Sequence, residues 1–196
     1  MQQVVDFYFD VGSPASYLAW TQLPALCREA DAQLVYKPML LGGVFQATGN
    51  SSPAAIPPKG RYMNRDLARF ARRYGVPLGT NPYFPINTLQ LMRAISGMQV
   101  RDPARFEALL TTVFHAMWVD VRNMNDPAAV AEALAAGGFV PAEIFAMVND
   151  PAVKAGLKTT TEEAVQRGVF GAPTVFVGDE MFFGQDRLDF VREALA

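Results

Sequence analysis

Val4-Val5-Asp6-Phe7-Tyr8-Phe9-Asp10, followed at once by Val11-Gly12-Ser13-Pro14-Ala15-Ser16-Tyr17, is the stretch on which the fold turns. Its first seven residues are rich in aromatic and β-branched side chains and predict a strand. Asp-Val-Gly-Ser-Pro then gives a turn and a helix start, with Ser13 placed to cap and Pro14 at the first helical position, where a missing N–H matters least. The helical pattern continues through Tyr17, Leu18, Trp20, Leu23 and Leu26, with Pro24 as a kink or an early end. Residues 33–38 predict a second strand, so residues 1–40 form one βαβ unit.

At the other end, Gly171-Ala172-Pro173 leads into the strand Thr174-Val175-Phe176-Val177, a turn at Gly178-Asp179-Glu180 and the short strand Met181-Phe182-Phe183. Gly184-Gln185-Asp186 then opens a last helix to Ala194. Between the two ends, residues 41–61 are rich in Gly, Ser and Pro and predict a loop too long to be merely connective, one that lines something. Helical patterns follow at 64–74, 88–97, 103–121, 127–136, 141–149 and 151–166; several begin with Pro, and the first two end at Gly. The expected architecture is α/β: a four-stranded mixed sheet from residues 1–40 and 168–196, with a connecting loop and a large all-helical insertion over 41–167.

Composition narrows the function. The chain has 196 residues, 51% hydrophobic and 18% charged, enough to bury a full core without staples. A formal net charge of −2 with no Lys/Arg run argues against nucleic acid or an anionic membrane as partner and favours a small molecule. Residues 1–6 carry no basic residue and meet an acid at Asp6, so they do not read as a signal peptide, and no apolar stretch approaches bilayer length. One cysteine, Cys27, allows no internal disulfide and suits a reducing cytoplasm. The single histidine, His115, lies within a helical pattern, so no Ser-His-Asp triad is available. No His or Cys set has metal-ligand spacing.

The order of elements resembles the DsbA-like branch of the thioredoxin fold, in which Ser13-Pro14-Ala15-Ser16 stands where a redox protein carries Cys-x-x-Cys. Further motifs sharpen this. Phe7-Tyr8-Phe9-Asp10 with Ser13-Pro14-x-Ser16-Tyr17, then Leu41-Gly42-Gly43, Gly49-Asn50, Pro58-Lys59-Gly60-Arg61-Tyr62, Phe84-Pro85-x-Asn87-Thr88, the run from Gly168 to Thr174, and Phe183-Gly184-Gln185-Asp186-Arg187-Leu188 resemble 2-hydroxychromene-2-carboxylate isomerases and the related kappa-class glutathione transferases. These motifs keep the family order over nearly the whole chain. Ala15 stands where relatives often carry an aromatic residue, which leaves more room beside Ser13.

The resemblance implies glutathione as cofactor, a small aromatic substrate and a homodimer. Its activity would be conversion of 2-hydroxychromene-2-carboxylate to trans-o-hydroxybenzylidenepyruvate in naphthalene-type degradation, by reversible addition of the glutathione thiolate. Ser13 would donate a hydrogen bond to that thiolate; the reading from local sequence alone is a plain N-cap. A helix N-terminus favours an anion. Lowering a thiol pKa by two units from about 8.5 takes about 2.7 kcal/mol, within reach of the helix dipole plus one charged hydrogen bond.

Pro173 is a candidate cis proline, and Ala172 before it would pair with the tripeptide backbone. Gln185 and Asp186 would hold the γ-glutamyl end, although an acid at a helix start is also an ordinary cap. Asn50 and Lys59 would contact the cofactor, and Asn87 and Lys59 the substrate; a lone lysine is otherwise a solvated charge and Asn87 another cap. Cys27 reads as a small core residue. A kappa-like transferase or peroxidase and a non-catalytic binding module are the alternatives. Thiol–disulfide exchange is disfavoured because positions 13 and 16 carry no thiol.

Overall fold

The computed structural model describes residues 2–196. Strand β1 (Val4–Phe9) is followed by α1 (Pro14–Glu29) and β2 (Gln33–Pro38), and the chain closes with β3 (Thr174–Val177), β4 (Glu180–Phe183) and α9 (Leu188–Ala194). The sheet has four strands in the order β2-β1-β3-β4. β1 runs parallel to β2, with Phe7 opposite Tyr36, and antiparallel to β3, with Phe7 opposite Val175. β3 and β4 are antiparallel.

β1 is central and covered on both faces, which is why its sequence is an apolar run rather than a clean alternation. Val5, Phe7 and Phe9 enter the main core with Tyr17, Leu18 and Phe114. Phe114 lies 6.1 Å from Phe9 and 5.1 Å from Trp20 between ring centroids, so this core joins the sheet to the inserted helices. Tyr8 points the other way, into a smaller cluster with Met39, Val44, Ala164, Val169 and Phe176.

The insertion contains α2 (Leu41–Thr48), α3 (Pro57–Tyr74), α4 (Leu89–Arg101), α5 (Phe106–Trp118), α6 (Pro127–Ala136), α7 (Pro141–Met147) and α8 (Pro151–Gln166). The expected loop over 41–61 is therefore largely helical. Gly42 and Gly43 suggest a loop by propensity, but Cβ on Gly43 would lie 3.2 Å from Thr161 Cγ2, so the glycine brings α2 close to α8. The backbone N–H of Leu41 is held by Asp10 at 2.8 Å, and Gly49 ends the helix in the left-handed region at φ 70°. α3 starts at Pro57, not 64, and places Lys59 in its first turn.

Two other breaker signals give way to packing. α1 passes through Pro24 because Leu26 and Cys27 beyond it are buried. α4 runs past Gly97 to Arg101; that glycine is a contact, since a Cβ there would lie 3.0 Å from Met147 Sδ. Residues 103–105 and 185–187 form single 3₁₀ turns before α5 and α9. No single helix among the described residues is long and apolar enough to cross a membrane.

Candidate active site

The site is organised from the end of β1. Asp10 is 1% exposed, and its carboxylate accepts hydrogen bonds from the N–H groups of Gly12 and Leu41, each at 2.8 Å, and from Thr88 Oγ1 at 3.0 Å. One side chain thus ties together the turn before α1, the start of α2 and the residue before α4. Burial pushes the Asp10 pKa above its ordinary value of 3.8, and the three hydrogen bonds oppose that rise. Gly12 is small by necessity: a Cβ there would lie 2.8 Å from Thr88 Cγ2. Asp10 is a site-organising residue that sequence reasoning missed; the available signal was an acid closing an apolar strand.

Ser13 caps α1, and its Oγ accepts from the N–H of Ser16 at 3.1 Å. The same hydroxyl donates to the carbonyl of Ala172, 159 positions away, at 3.0 Å. The Ala172–Pro173 peptide is cis, as is Phe84–Pro85. Ser13 is therefore an N-cap and also faces the turn before β3. Ser16, the second serine of the motif, is fully buried with no partner for its hydroxyl among the described residues.

A cleft of about 770 Å³ opens beside Ser13, within the usual range for small-molecule sites. Ser13, Asn50, Lys59, Ala172, Pro173, Gln185 and Asp186 all line it. Asn50 is engaged with the protein: its Nδ2 donates to the carbonyl of Phe170 at 2.8 Å, bracing the turn that carries Ala172. Lys59 is exposed, with no carboxylate within salt-bridge distance among the described residues. A cation in the first turn of a helix opposes the dipole, so Lys59 and the α3 N-terminus together make this wall positive.

Opposite, Tyr74 Oη donates to the carbonyl of Gln185 at 2.6 Å and fixes the turn after β4. Asp186 pairs with Arg187 at 3.3 Å rather than capping a helix. Gly184 has φ 106°, where L side chains are strained, and an added Cβ would overlap Asp186 Oδ1.

Asn87 stands apart. It lines a separate cavity of about 400 Å³ among α4–α7, its Oδ1 accepts from the N–H of Leu89 at 3.1 Å, and its own N–H donates to Asn125. These local bonds hold it at the start of α4, away from the Ser13 cleft. Phe45, Tyr62, Met63, Phe84, Phe170 and Phe183 line the cleft without having been singled out as site residues. The signal for four of them was their place in the motifs around residues 58–62, 84–88, 168–174 and 183–188. Cys27 is buried, and burial pushes its thiol up to about 11, which fits a core residue and not a nucleophile.

The strand order, the capped α1 and the proline turn facing it define a thioredoxin-fold protein of the DSBA-like class, and the sequence model of the DSBA-like thioredoxin domain matches residues 4–196. A 2-hydroxychromene-2-carboxylate isomerase of Sphingobium xenophagum is 35% identical over 200 residues, covering 100% of this chain and 99% of its own. A solved structure of a 2-hydroxychromene-2-carboxylate isomerase matches with a TM-score of 0.85 at 31% identity, covering 98% of this chain and 94% of that one. A glutathione S-transferase kappa 2 of Caenorhabditis elegans is 30% identical over 208 residues, covering 100% of this chain and 92% of its own. Within the DSBA-like class, the chain belongs to the 2-hydroxychromene-2-carboxylate isomerase family.

Proposed function

We propose that this chain is a glutathione-dependent isomerase that converts 2-hydroxychromene-2-carboxylate to trans-o-hydroxybenzylidenepyruvate in naphthalene-type degradation. The observation that carries the reading is the thiol-free helix N-terminus: Ser13, not a cysteine, sits at the start of α1, bonded to Ala172, and both line an apolar cleft. The residues present fit glutathione. Ala172 offers a backbone carbonyl bonded only to Ser13, and its N–H has no partner among the described residues, an edge a peptide can pair with. Gln185 and Asp186 form a polar end suited to an ammonium and its carboxylate, and Lys59 supplies a free cation for a carboxylate.

When bound, glutathione supplies the nucleophilic thiol that adds to the substrate and leaves again. The chain's own contribution is to place the positive end of α1 and the Ser13 hydroxyl where negative charge sits on sulfur. Phe45, Phe84, Phe170 and Phe183 form an apolar surface for an aromatic ring, and Lys59 orients its carboxylate. The same proposal places the protein in the reducing cytoplasm, as a homodimer.

The deciding experiment follows the absorbance of 2-hydroxychromene-2-carboxylate with purified protein, with and without glutathione, and weighs the product. Glutathione-dependent conversion to an unconjugated isomer is expected. A product that retains the glutathionyl group would replace this reading with the transferase reading suggested by the kappa relative. No conversion despite glutathione binding would also overturn it.

The aromatic wall has its own test. Cβ on Gly171 would lie 2.7 Å from Phe183 Cε2, and the Phe183 ring lies 4.6 Å from that of Phe170. Gly171→Ala is expected to push Phe183 out of the wall and raise KM for the aromatic substrate about five-fold, the equivalent of roughly 1 kcal/mol of lost ring contact. Glutathione affinity, measured by calorimetry, should change less. An equal loss for both ligands would show that the substitution moved the Ala172 turn instead.

A further inference from the structure

The proton of the Ser13 hydroxyl already has an acceptor. A carbonyl oxygen only accepts, so in the 3.0 Å contact with Ala172 it is Ser13 that donates. The N–H of Ser16 occupies one lone pair of the same Oγ at 3.1 Å. In this arrangement Ser13 has no proton to offer a sulfur atom. Ala172 lines the cleft, its carbonyl is bonded only to that hydroxyl, and its N–H is unpartnered among the described residues.

We propose that Ser13 is a ligand-gated donor: the peptide N–H of a cysteinyl thiol takes over the Ala172 carbonyl, and the released Ser13 hydroxyl turns to the sulfur of that same cysteinyl residue. The inference rests on the glutathione reading above and deepens it by stating which thiols the site activates. A thiol with a peptide N–H close to its sulfur replaces the hydrogen bond that it breaks. A simple alkyl thiol has no such group, so turning Ser13 toward it leaves the carbonyl with no protein partner. Selectivity for a cysteinyl peptide then comes from the order of two hydrogen bonds as well as from contacts at the ends of the tripeptide. The sulfur gains its donor only after the backbone has paired.

S-methylglutathione separates the two halves of the exchange. Its backbone can displace Ser13 from Ala172, but its thioether cannot ionise and is a poor acceptor for the freed hydroxyl. Calorimetric titration of the full chain is expected to show Ser13→Ala and Ser13→Gly binding S-methylglutathione about five-fold more tightly than the parent protein, the factor for one ordinary hydrogen bond no longer displaced. The glycine variant keeps most of the stability of the cap and guards against a folding artefact. In both variants the thiolate of bound glutathione, followed by ultraviolet absorbance against pH, should form at higher pH than in the parent.

Equal or weaker binding of S-methylglutathione to both variants would overturn the gate, because the Ala172 carbonyl would then accept from hydroxyl and ligand together. With glutathione still bound and turnover intact, that result would leave the isomerase reading standing. Failure of the parent protein to bind either glutathione or S-methylglutathione would overturn both.

Discussion

Replacing Ser13 by alanine should lower turnover at neutral pH about thirty-fold, while the protein remains folded. The hydroxyl is the side-chain donor that the α1 N-terminus presents beside Ala172, and a hydrogen bond to an ionised group is worth about 2 kcal/mol. The sign with pH follows. Without the donor, the thiolate is less favoured and the thiol pKa rises, so the ascending limb of kcat/KM should move to higher pH by about 1.5 units. At sufficiently alkaline pH much of the lost rate should return. Loss of the cap itself costs about 1 kcal/mol of stability, a small shift in thermal unfolding that can be measured separately. Full activity with an unmoved pH limb would remove Ser13 from the chemistry and leave it as a helix cap.

Asp10→Ala should be the most destabilising single change at the site, by about 3 kcal/mol. It leaves the N–H groups of Gly12 and Leu41 and the hydroxyl of Thr88 without their acceptor in a buried setting, at a cost of about 1–3 kcal/mol for each unsatisfied group, partly offset by no longer burying a carboxylate. For a chain of this size that corresponds to a fall in Tm of roughly 6–12 °C. The pH dependence runs opposite to that of an exposed, ion-paired acid. Because burial raises the folded-state pKa of Asp10 above 3.8, the folded protein holds this proton more tightly than the unfolded chain does. The Asp10 contribution to stability is greatest below the unfolded value and declines as pH rises through the folded one. Asp10→Asn cannot titrate, so denaturant midpoints measured against pH should lose that decline relative to the parent. Parallel profiles for the two proteins would show that the burial of Asp10 is not felt in stability.

Much of the fold was legible because its signals are local. The spans 33–38, 127–136, 151–166 and 174–177 match β2, α6, α8 and β3 to the residue, each bounded by Pro, Gly or a polar cap that acts within a few positions. Misreadings fell where a breaker residue was serving a distant contact. Gly43 admits α8, Gly97 admits Met147, and Pro24 is carried within a helix whose later residues are buried. Propensity penalises these residues by about 1 to 3 kcal/mol, which packing elsewhere can offset. The 41–61 segment is expected from its length to line something, and Phe45, Asn50 and Lys59 do line the cleft, but its helices depend on partners far along the chain.

The sequence by itself determined the thiol-free Ser-Pro-Ala-Ser helix start, the central apolar strand and the closing hairpin, because capping, side-chain alternation and turn chemistry are short-range properties. Tertiary structure decided that Ser13 meets Ala172, that Asp10 joins the starts of three helices, and that Asn87 binds the N–H of Leu89 at the start of α4, away from the cleft. Two of those arrangements are hydrogen bonds between residues 31 to 159 positions apart. No local pattern specifies which donor will find which acceptor at that separation; the choice is made when the sheet and the inserted helices pack and each buried polar group must be satisfied.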